Sequence, residues 1–100
     1  MINAMIKIIA DFRIQSNQAE RFLSYAAELI RCSRQEAGCI SYALYRELEH
    51  QNSFTFIEEW ESPEAIALHN QSAHFRYFCE KVKSCQVGTA DIAQYREVDC

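Results

Sequence analysis

The chain contains very few of the residues that interrupt regular structure. Its 100 residues include two glycines, Gly38 and Gly88, and one proline. A phosphate-binding loop needs several closely spaced glycines, so the usual nucleotide and flavin fingerprints are excluded. Long linkers and disordered segments are not expected either. The composition therefore predicts one compact domain, residues 1–100, with its core at about residues 5–98.

Other features are missing as well. The sequence has no apolar run of roughly 18 residues and no cleavable apolar segment at its start, so neither a membrane span nor a signal peptide is predicted. The formal net charge is -4 and the basic residues are scattered, which gives no footprint for nucleic acid or an anionic membrane. The five cysteines form no CxxC pair, which indicates free thiols. We therefore expect a cytoplasmic protein without nucleic-acid or membrane partners.

What the chain does contain is a clear alternation of two periodicities. Apolar residues repeat every second position in some segments and every third or fourth position in the segments between them. The predicted strands lie at 5–14, 39–48, 54–60 and 87–98, and the predicted helices at about 17–38, 62–70 and 72–84. The second and third strands should form a hairpin, because only a polar loop separates them.

Short signals set the boundaries of the helices. Asn17 and Glu20 have capping-box spacing at the start of the first helix, and Gly38 can end that helix in a left-handed cap. The Ser62-Pro63 pair is a strong helix start, because serine caps a helix and proline suits its first position. Ser72 predicts a break with a new N-cap before the last helix.

This order of elements (βαββααβ) is that of the ferredoxin-like split βαβ sandwich, an α+β fold with a four-stranded antiparallel sheet. The helices cover one face of such a sheet. The other face is predicted to carry an apolar set among polar neighbours, namely Ile9, Ala43, Tyr45, Ile57 and Tyr95, or the aromatic set if the assignment of faces is reversed. A monomer tolerates either patch poorly, so we expect a symmetric homodimer whose sheets pack face to face.

Three motifs make the chain similar to a known family. They are Gly38-Cys39-Ile40-Ser41-Tyr42, Glu58-Glu59-Trp60-Glu61-Ser62, and His69 with Ser72-Ala73-His74-Phe75. With the order of elements, they resemble the antibiotic biosynthesis monooxygenase (ABM) domain family of dimeric α/β barrels, from about Met5 to Val98. The resemblance implies the fold better than the reaction. Similar proteins include cofactor-independent monooxygenases of quinols and polyketide-like aromatics, haem-degrading enzymes, and an isomerase of a phosphorylated quorum-sensing ligand.

The haem-degrading branch is disfavoured by position. Its pattern has an asparagine near the end of the first strand, a tryptophan on the helix after the Trp-x-Ser segment, and a histidine further along. The corresponding positions here hold Phe12, His69 and Cys79. The chain agrees better with the members that use no cofactor, and none is expected.

His69 is the candidate catalytic residue. It is predicted near the end of the short helix, where the helix dipole favours the protonated imidazole, and small pKa shifts let histidine act as acid or base at neutral pH. In the catalytic interpretation it removes a phenolic proton, and the resulting anion reacts with oxygen. The alternative is a structural histidine that hydrogen-bonds the helix end or the following turn.

His74, at the start of the next helix, is a candidate substrate-binding residue or a structural one. On one continuous helix, His69 and His74 would point roughly 140° apart. No acid with ligand spacing lies nearby in the sequence, so we expect no metal site.

Three further residues are candidates for substrate binding. Trp60 could form a wall of an aromatic-binding pocket or anchor the end of its strand. Glu58 shares a strand face with Trp60, and a buried carboxyl there would need a partner, Arg13 or Arg96, or a raised pKa. Tyr42 could bind a substrate hydroxyl or belong to the core.

The leading prediction is a cofactor-independent monooxygenase of a small aromatic, quinol-like compound. Two alternatives stay open. One is an isomerase of a small hydroxy-ketone, in which His69 moves a proton. The other is a non-catalytic, small-ligand-binding or stress-associated dimer in which His69 and His74 are structural.

Overall fold

The computed structural model describes residues 5–100. In chain order the elements are β1 (Ile6–Arg13), α1 (Ala19–Ser33), β2 (Cys39–Arg46), β3 (Ser53–Trp60), α2 (Pro63–Gln71), α3 (Ala73–Val82) and β4 (Asp91–Tyr95). The strands form one antiparallel sheet in the order β2-β3-β1-β4. This is the predicted ferredoxin-like α+β arrangement, and the predicted order of elements is confirmed.

The pairing of the two central strands places the core. In β1 and β3, Phe12 lies opposite Phe54, and Ile8 lies opposite Glu58. Because side chains alternate along a strand, these pairs share the face that the helices cover, and they are buried. Ile9 and Ile57, which also pair, lie on the other face. The first of the two predicted face assignments is therefore correct.

An aromatic cluster joins the helices to this covered face. Phe22 of α1 and Phe78 of α3 are buried against Phe12 and Phe56, with ring centroids 5.5 to 6.3 Å apart and mostly edge-on or tilted packing. Such arrangements match the positive ring edges with the negative ring faces. This cluster fixes α1 and α3 on the sheet and leaves space beside it for the site described below.

Two serines define the second half of the structure. The Ser62 hydroxyl accepts a hydrogen bond from the backbone N–H of Ala65 (3.1 Å), with Pro63 in the first helical position, as predicted. The Ser72 hydroxyl accepts from the N–H of Phe75 (3.2 Å) and donates to the carbonyl of His69 (2.6 Å). Ser72 therefore ends α2 and begins α3, and the predicted break is confirmed.

Two predicted caps are wrong. The Asn17–Glu20 capping box does not form, because α1 begins at Ala19 after Gln18, which makes no side-chain cap bond. Gly38 does not end α1, which stops at Ser33 with Arg34 in a right-handed conformation as its C-cap. Backbone hydrogen bonds of the following turn, rather than a left-handed residue, complete this helix end.

Gly38 has a different function in the fold. A side chain there would collide with the Cβ of Ala65 on α2, and the Gly38 carbonyl accepts from the N–H of Glu61 at 2.9 Å. A glycine is therefore needed because two backbone segments approach closely, not because of its φ angle. Among residues 5–100, the positive-φ glycine is Gly88, at 70°.

Several elements are shorter than predicted, among them β2, which ends at Arg46 rather than at 48. The last strand spans Asp91–Tyr95 rather than 87–98, and all five residues are exposed. It pairs with β1 alone, so hydrogen bonds to β1 limit its length more than apolar periodicity does. The helix α3 ends at Val82, before the predicted end near Ser84. None of the helices within residues 5–100 has the length and apolar character that crossing a membrane requires.

The approach of Gly38 to α2 gives a stability prediction. We expect Gly38→Ala to destabilise the protein by about 1–3 kcal/mol, because the new methyl group overpacks against Ala65. Chemical denaturation should show this loss. Ala65→Gly alone should cost about 1 kcal/mol through helix propensity. In the double variant the Gly38→Ala penalty should shrink, and strict additivity of the two losses would contradict the proposed contact.

Candidate functional site

A cavity of about 540 Å³ lies between the covered face of the sheet and the helices. Its wall is mainly apolar and includes Ile8, Phe56, Phe75 and Phe78. The volume falls in the range of small-molecule sites, in which a few polar groups among apolar walls orient the ligand.

The polar part of the wall contains three of the predicted site residues, Tyr42, Glu58 and His69. Several polar residues that the sequence did not single out also line it, namely Asn70, Lys83, Gln86 and Gln94. The Oε1 atom of Gln86 is buried without a hydrogen-bond partner among the described residues. The cavity wall therefore combines titratable side chains with neutral polar ones.

His69 is buried, and its ring contacts aromatic side chains. It lies in the last turn of α2 with a side-chain exposure of 2%. Its ring packs against Trp60 at 4.5 Å and Phe75 at 4.7 Å between centroids. Its Nδ1 lies 2.6 Å from the Oε2 of Glu36, and its Nε2 is buried with no hydrogen-bond partner in the described chain.

These contacts define the chemical state of His69. Burial lowers the pKa of its imidazole, and the hydrogen bond with Glu36 opposes this effect without cancelling it. The ring is therefore neutral at pH 7 and carries one N–H. A carboxylate at Nδ1 holds that proton on Nδ1, which leaves the Nε2 lone pair free. His69, a residue of the cavity wall, therefore carries at Nε2 a lone pair that can accept a proton.

Glu36 is the functional residue that sequence reasoning missed. It lies in the turn between α1 and β2, and its Oε2 contacts both Nδ1 of His69 and Nε2 of His74, at 2.6 and 2.7 Å. Its only sequence signal is its place two residues before Gly38, the glycine that lets this turn approach α2. The prediction of no metal site covered only acids close to the two histidines in the sequence, and Glu36 lies 33 residues from His69.

The break at Ser72 also changes how the two histidines are related. With α2 and α3 as separate helices, the rings of His69 and His74 lie 5.9 Å apart and meet the same carboxylate oxygen. The divergence expected on one continuous helix does not apply. Within residues 5–100, the ligand atoms of Glu36, His69 and His74 lie within 4.8 Å of one another, and these residues could hold a metal ion.

Glu58 is the second titratable group of the cavity. It is buried, and its Oε1 accepts from the indole Nε1 of Trp60 at 2.9 Å. Burial raises the pKa of its carboxyl to about 7, although hydrogen bonds from Trp60 and Tyr42 favour the ionised form. The predicted partners Arg13 and Arg96 are wrong. Neutral donors replace them, because Glu58 faces the core.

Two of the predicted substrate-binding residues, Trp60 and His74, lie outside the cavity lining that residues 5–100 define. Trp60 is fully buried, packs against His69 and donates a hydrogen bond to Glu58. Within the described residues 5–100, it is not one of the residues that line the cavity. His74 is about one-fifth exposed and is linked to His69 through Glu36. It, too, is absent from the cavity lining that residues 5–100 define. Tyr42 lines the cavity, and burial, followed by the charge of the neighbouring Glu58, raises the pKa of its phenol.

The fold and motifs agree with comparisons to known proteins. The chain matches the family model described as "Antibiotic biosynthesis monooxygenase" over residues 5–81. It therefore belongs to the antibiotic biosynthesis monooxygenase family, which confirms the resemblance seen in its motifs. It is 32% identical over 90 residues to the Bacillus subtilis (strain 168) protein named "Putative monooxygenase YcnE", a match that covers 90% of this chain and 95% of that protein.

Solved structures show the same fold. A conserved protein from Methanosarcina mazei Go1 superposes with a TM-score of 0.93 at 27% identity, over 96% of this chain and 95% of that one. A structure described as an antibiotic biosynthesis monooxygenase gives a TM-score of 0.90 at 26% identity, over 94% and 99%. These matches confirm the ferredoxin-like ABM fold.

The raised pKa of Glu58 predicts how stability depends on pH. The folded protein keeps this carboxyl protonated up to about pH 7, whereas the unfolded chain ionises it near 4.5. The folded state therefore binds more protons in this window, and stability falls as the pH rises from 4.5 to 7. Glu58→Gln should remove about 3 kcal/mol of this decrease in denaturation experiments. The exposed Glu61→Gln serves as the control, and identical pH profiles for Glu58→Gln and wild type would refute the assignment.

Proposed function

We propose that this chain is a cofactor-independent monooxygenase of a small aromatic, quinol-like compound. The observation that carries the proposal is the unpartnered Nε2 of His69, a residue in the wall of a mainly apolar cavity of about 540 Å³. Membership of the ABM family supports the monooxygenase class. The proposed class of substrate is inferred from the chemistry of the cavity wall.

The proposed first step is proton transfer. His69 accepts the phenolic proton at Nε2, and the imidazolium that forms is stabilised by the carboxylate of Glu36 at Nδ1. The apolar wall then surrounds an electron-rich phenolate and excludes water, which favours its reaction with dissolved oxygen. A simple hydroquinone plus O₂ balances as a hydroxyquinone plus water. The substrate supplies all four electrons, so the reaction needs no separate reductant.

Glu58 and Tyr42 favour a substrate with a second oxygen. With a pKa of about 7, the Glu58 carboxyl is partly protonated at neutral pH and can donate or accept a hydrogen bond. Both side chains line the same cavity as His69. In this proposal His69 ionises one hydroxyl of the quinol, and Glu58 or Tyr42 binds the other. Trp60 and His74 support the site by packing and hydrogen bonding.

A second candidate function is isomerisation of a small hydroxy-ketone. The pair of titratable groups favours it, because burial lowers the pKa of His69 and raises that of Glu58. A neutral base and a neutral acid in one cavity are what a proton shift beside a carbonyl requires. Incubation with hydroxy-ketones in deuterated water separates the two functions. Isomerisation exchanges the proton beside the carbonyl, whereas oxygenation consumes oxygen.

We also propose that the protein is a homodimer. The helix-free face of the sheet carries Ile9 and Ile57 in its centre, with Tyr45 and Tyr95 about half exposed towards its edges. Burying such a face against a second copy removes apolar surface from water, and a two-fold axis lets the same patch serve on both copies. The five free cysteines are compatible with the predicted cytoplasmic location, which stays a prediction.

Loss of the base should abolish turnover. We expect wild type to consume oxygen with hydroquinones or naphthols, and His69→Gln to be slower by about 10²–10⁴-fold. Glu36→Gln should lose part of the rate, since it no longer holds the Nδ1 proton with a charge. An oxygen electrode measures both. His50→Gln is the matched control, because His50 is exposed and its side chain pairs with Glu47.

The alternatives give different results in the same experiment. If His69→Gln turns over as fast as wild type, His69 is not the base. If no compound raises oxygen consumption above background and His69→Ala only lowers stability without changing ligand binding, the non-catalytic interpretation holds. Deuterium exchange without oxygen uptake would support the isomerase.

The dimer has its own test. Ile57→Arg places a charge in the centre of the helix-free face, so we expect it to shift the protein from dimer to monomer in sedimentation equilibrium. Leu68→Arg is the control, since Leu68 is exposed on α2 outside this face. Dissociation by Leu68→Arg and not by Ile57→Arg would place the interface elsewhere.

A further inference from the structure

The cluster of Glu36, His69 and His74 has the composition of a metal site. It offers two imidazole nitrogens and one carboxylate oxygen, all within 4.8 Å of one another. Imidazole donors suit zinc, copper, nickel and iron, whereas magnesium and calcium prefer oxygen ligands. Three protein ligands with a fourth position open to water are also the usual set of zinc sites that exchange a ligand.

The geometry is close to what such an ion requires. Zinc binds nitrogen and carboxylate oxygen at about 2.0–2.2 Å, so tetrahedral ligand atoms lie about 3.3 Å apart. The Oε2 of Glu36 now lies 2.6 and 2.7 Å from the two nitrogens, held there by hydrogen bonds. An ion replaces those two bonds after side-chain shifts of about an ångström. Glu36 and His74 are each about one-fifth exposed, so the ion has a route in from solvent.

The backbone around the cluster is well supported. The turn that carries Glu36 is held by its carbonyl, which accepts from the N–H of Cys39 at 3.1 Å, and by the Gly38 carbonyl, which accepts from Glu61. On the other side, Ser72 fixes the junction between the helices that carry the two histidines. The three ligands are therefore brought together before any ion binds.

We propose that Glu36, His69 and His74 bind a divalent transition-metal ion of the zinc class, and that this ion switches off the base. The ion occupies Nδ1 of His69, and neither Glu36 nor His74 belongs to the cavity wall that residues 5–100 define. It therefore lies beside the cavity, not in it. A neutral imidazole has one N–H, so an ion at Nδ1 moves that proton to Nε2. Nε2, the proton acceptor of the proposed function, becomes a donor.

Metal binding and inhibition of the base depend on different observations. Binding of the ion depends only on the three side chains. The inhibition rests on the proposed function, in which Nε2 of His69 takes a proton from the substrate. The test must therefore include readouts that need no substrate.

Isothermal titration with ZnCl₂ measures metal binding on the full chain without substrate. Every protein carries Cys100→Ser, because that exposed thiol would be a competing ligand. We expect one site per chain in the parent protein. Outer-shell partners alone are worth about 10–100-fold in affinity, so Glu36→Gln and His74→Gln, which remove ligands, should weaken binding at least as much. His50→Gln should bind as the parent does.

Two further measurements keep the test decisive if a variant fails to fold. Co²⁺ bound to the parent protein should show the visible bands of nitrogen and oxygen ligation. A thiolate charge-transfer band would instead show cysteine ligation and would overturn the site. The ¹⁵N shifts of His69 should show the ring proton moving from Nδ1 to Nε2 with Zn²⁺. Unchanged shifts would overturn the switch, and equal Zn²⁺ affinity of the parent and both ligand variants would overturn the site. Absence of oxygen consumption would refute only the proposed function.

Discussion

The site depends on one carboxylate oxygen that meets two imidazoles. The Oε2 of Glu36 brings together the turn after α1, the last turn of α2 and the first turn of α3. A buried imidazole would otherwise leave both ring nitrogens unsatisfied, which is costly in an apolar surrounding. Glu36 contacts one nitrogen and favours the tautomer with its proton on Nδ1, which leaves Nε2 buried without a partner among the described residues.

The same physical cause acts in opposite directions on the two titratable groups of the cavity. Burial disfavours the charged form of any group, so it lowers the pKa of His69 and raises that of Glu58. The result is a neutral base and a partly protonated acid at neutral pH. Trp60 links them, because it packs against His69 and donates to Glu58. Trp60 therefore contacts both titratable groups, although it is not part of the cavity lining that residues 5–100 define.

The ABM fold supplies the frame, and the side chains within it supply the chemistry. The close structural matches share the sheet and helices with this chain at about one-quarter identity. A fold shared at that level hosts more than one reaction, so function must be argued from the cavity. In this chain, His69 and the polar groups that share the cavity wall with it are the features that bear on function.

The sequence by itself determined the element order and the break at Ser72, and it left two assignments of the covered face of the sheet open. These features follow from local causes, because strand alternation, proline geometry and serine capping act over a few residues. It also singled out His69, Glu58 and Tyr42 as candidate site residues, and all three line the cavity. The capping box at Asn17 failed because capping spacing alone does not fix where a helix begins.

Only the tertiary structure decided which side chains meet. Glu36 has no periodic signal and lies 33 residues from His69, yet the two side chains are hydrogen-bonded because a glycine lets their segments approach. The partners of Glu58 were equally hidden, since burial selected Trp60 and Tyr42 over distant arginines. Spacing along the chain carries no information about such contacts. The helical spacing of the two histidines therefore predicted divergence, and packing against one shared carboxylate brought them together.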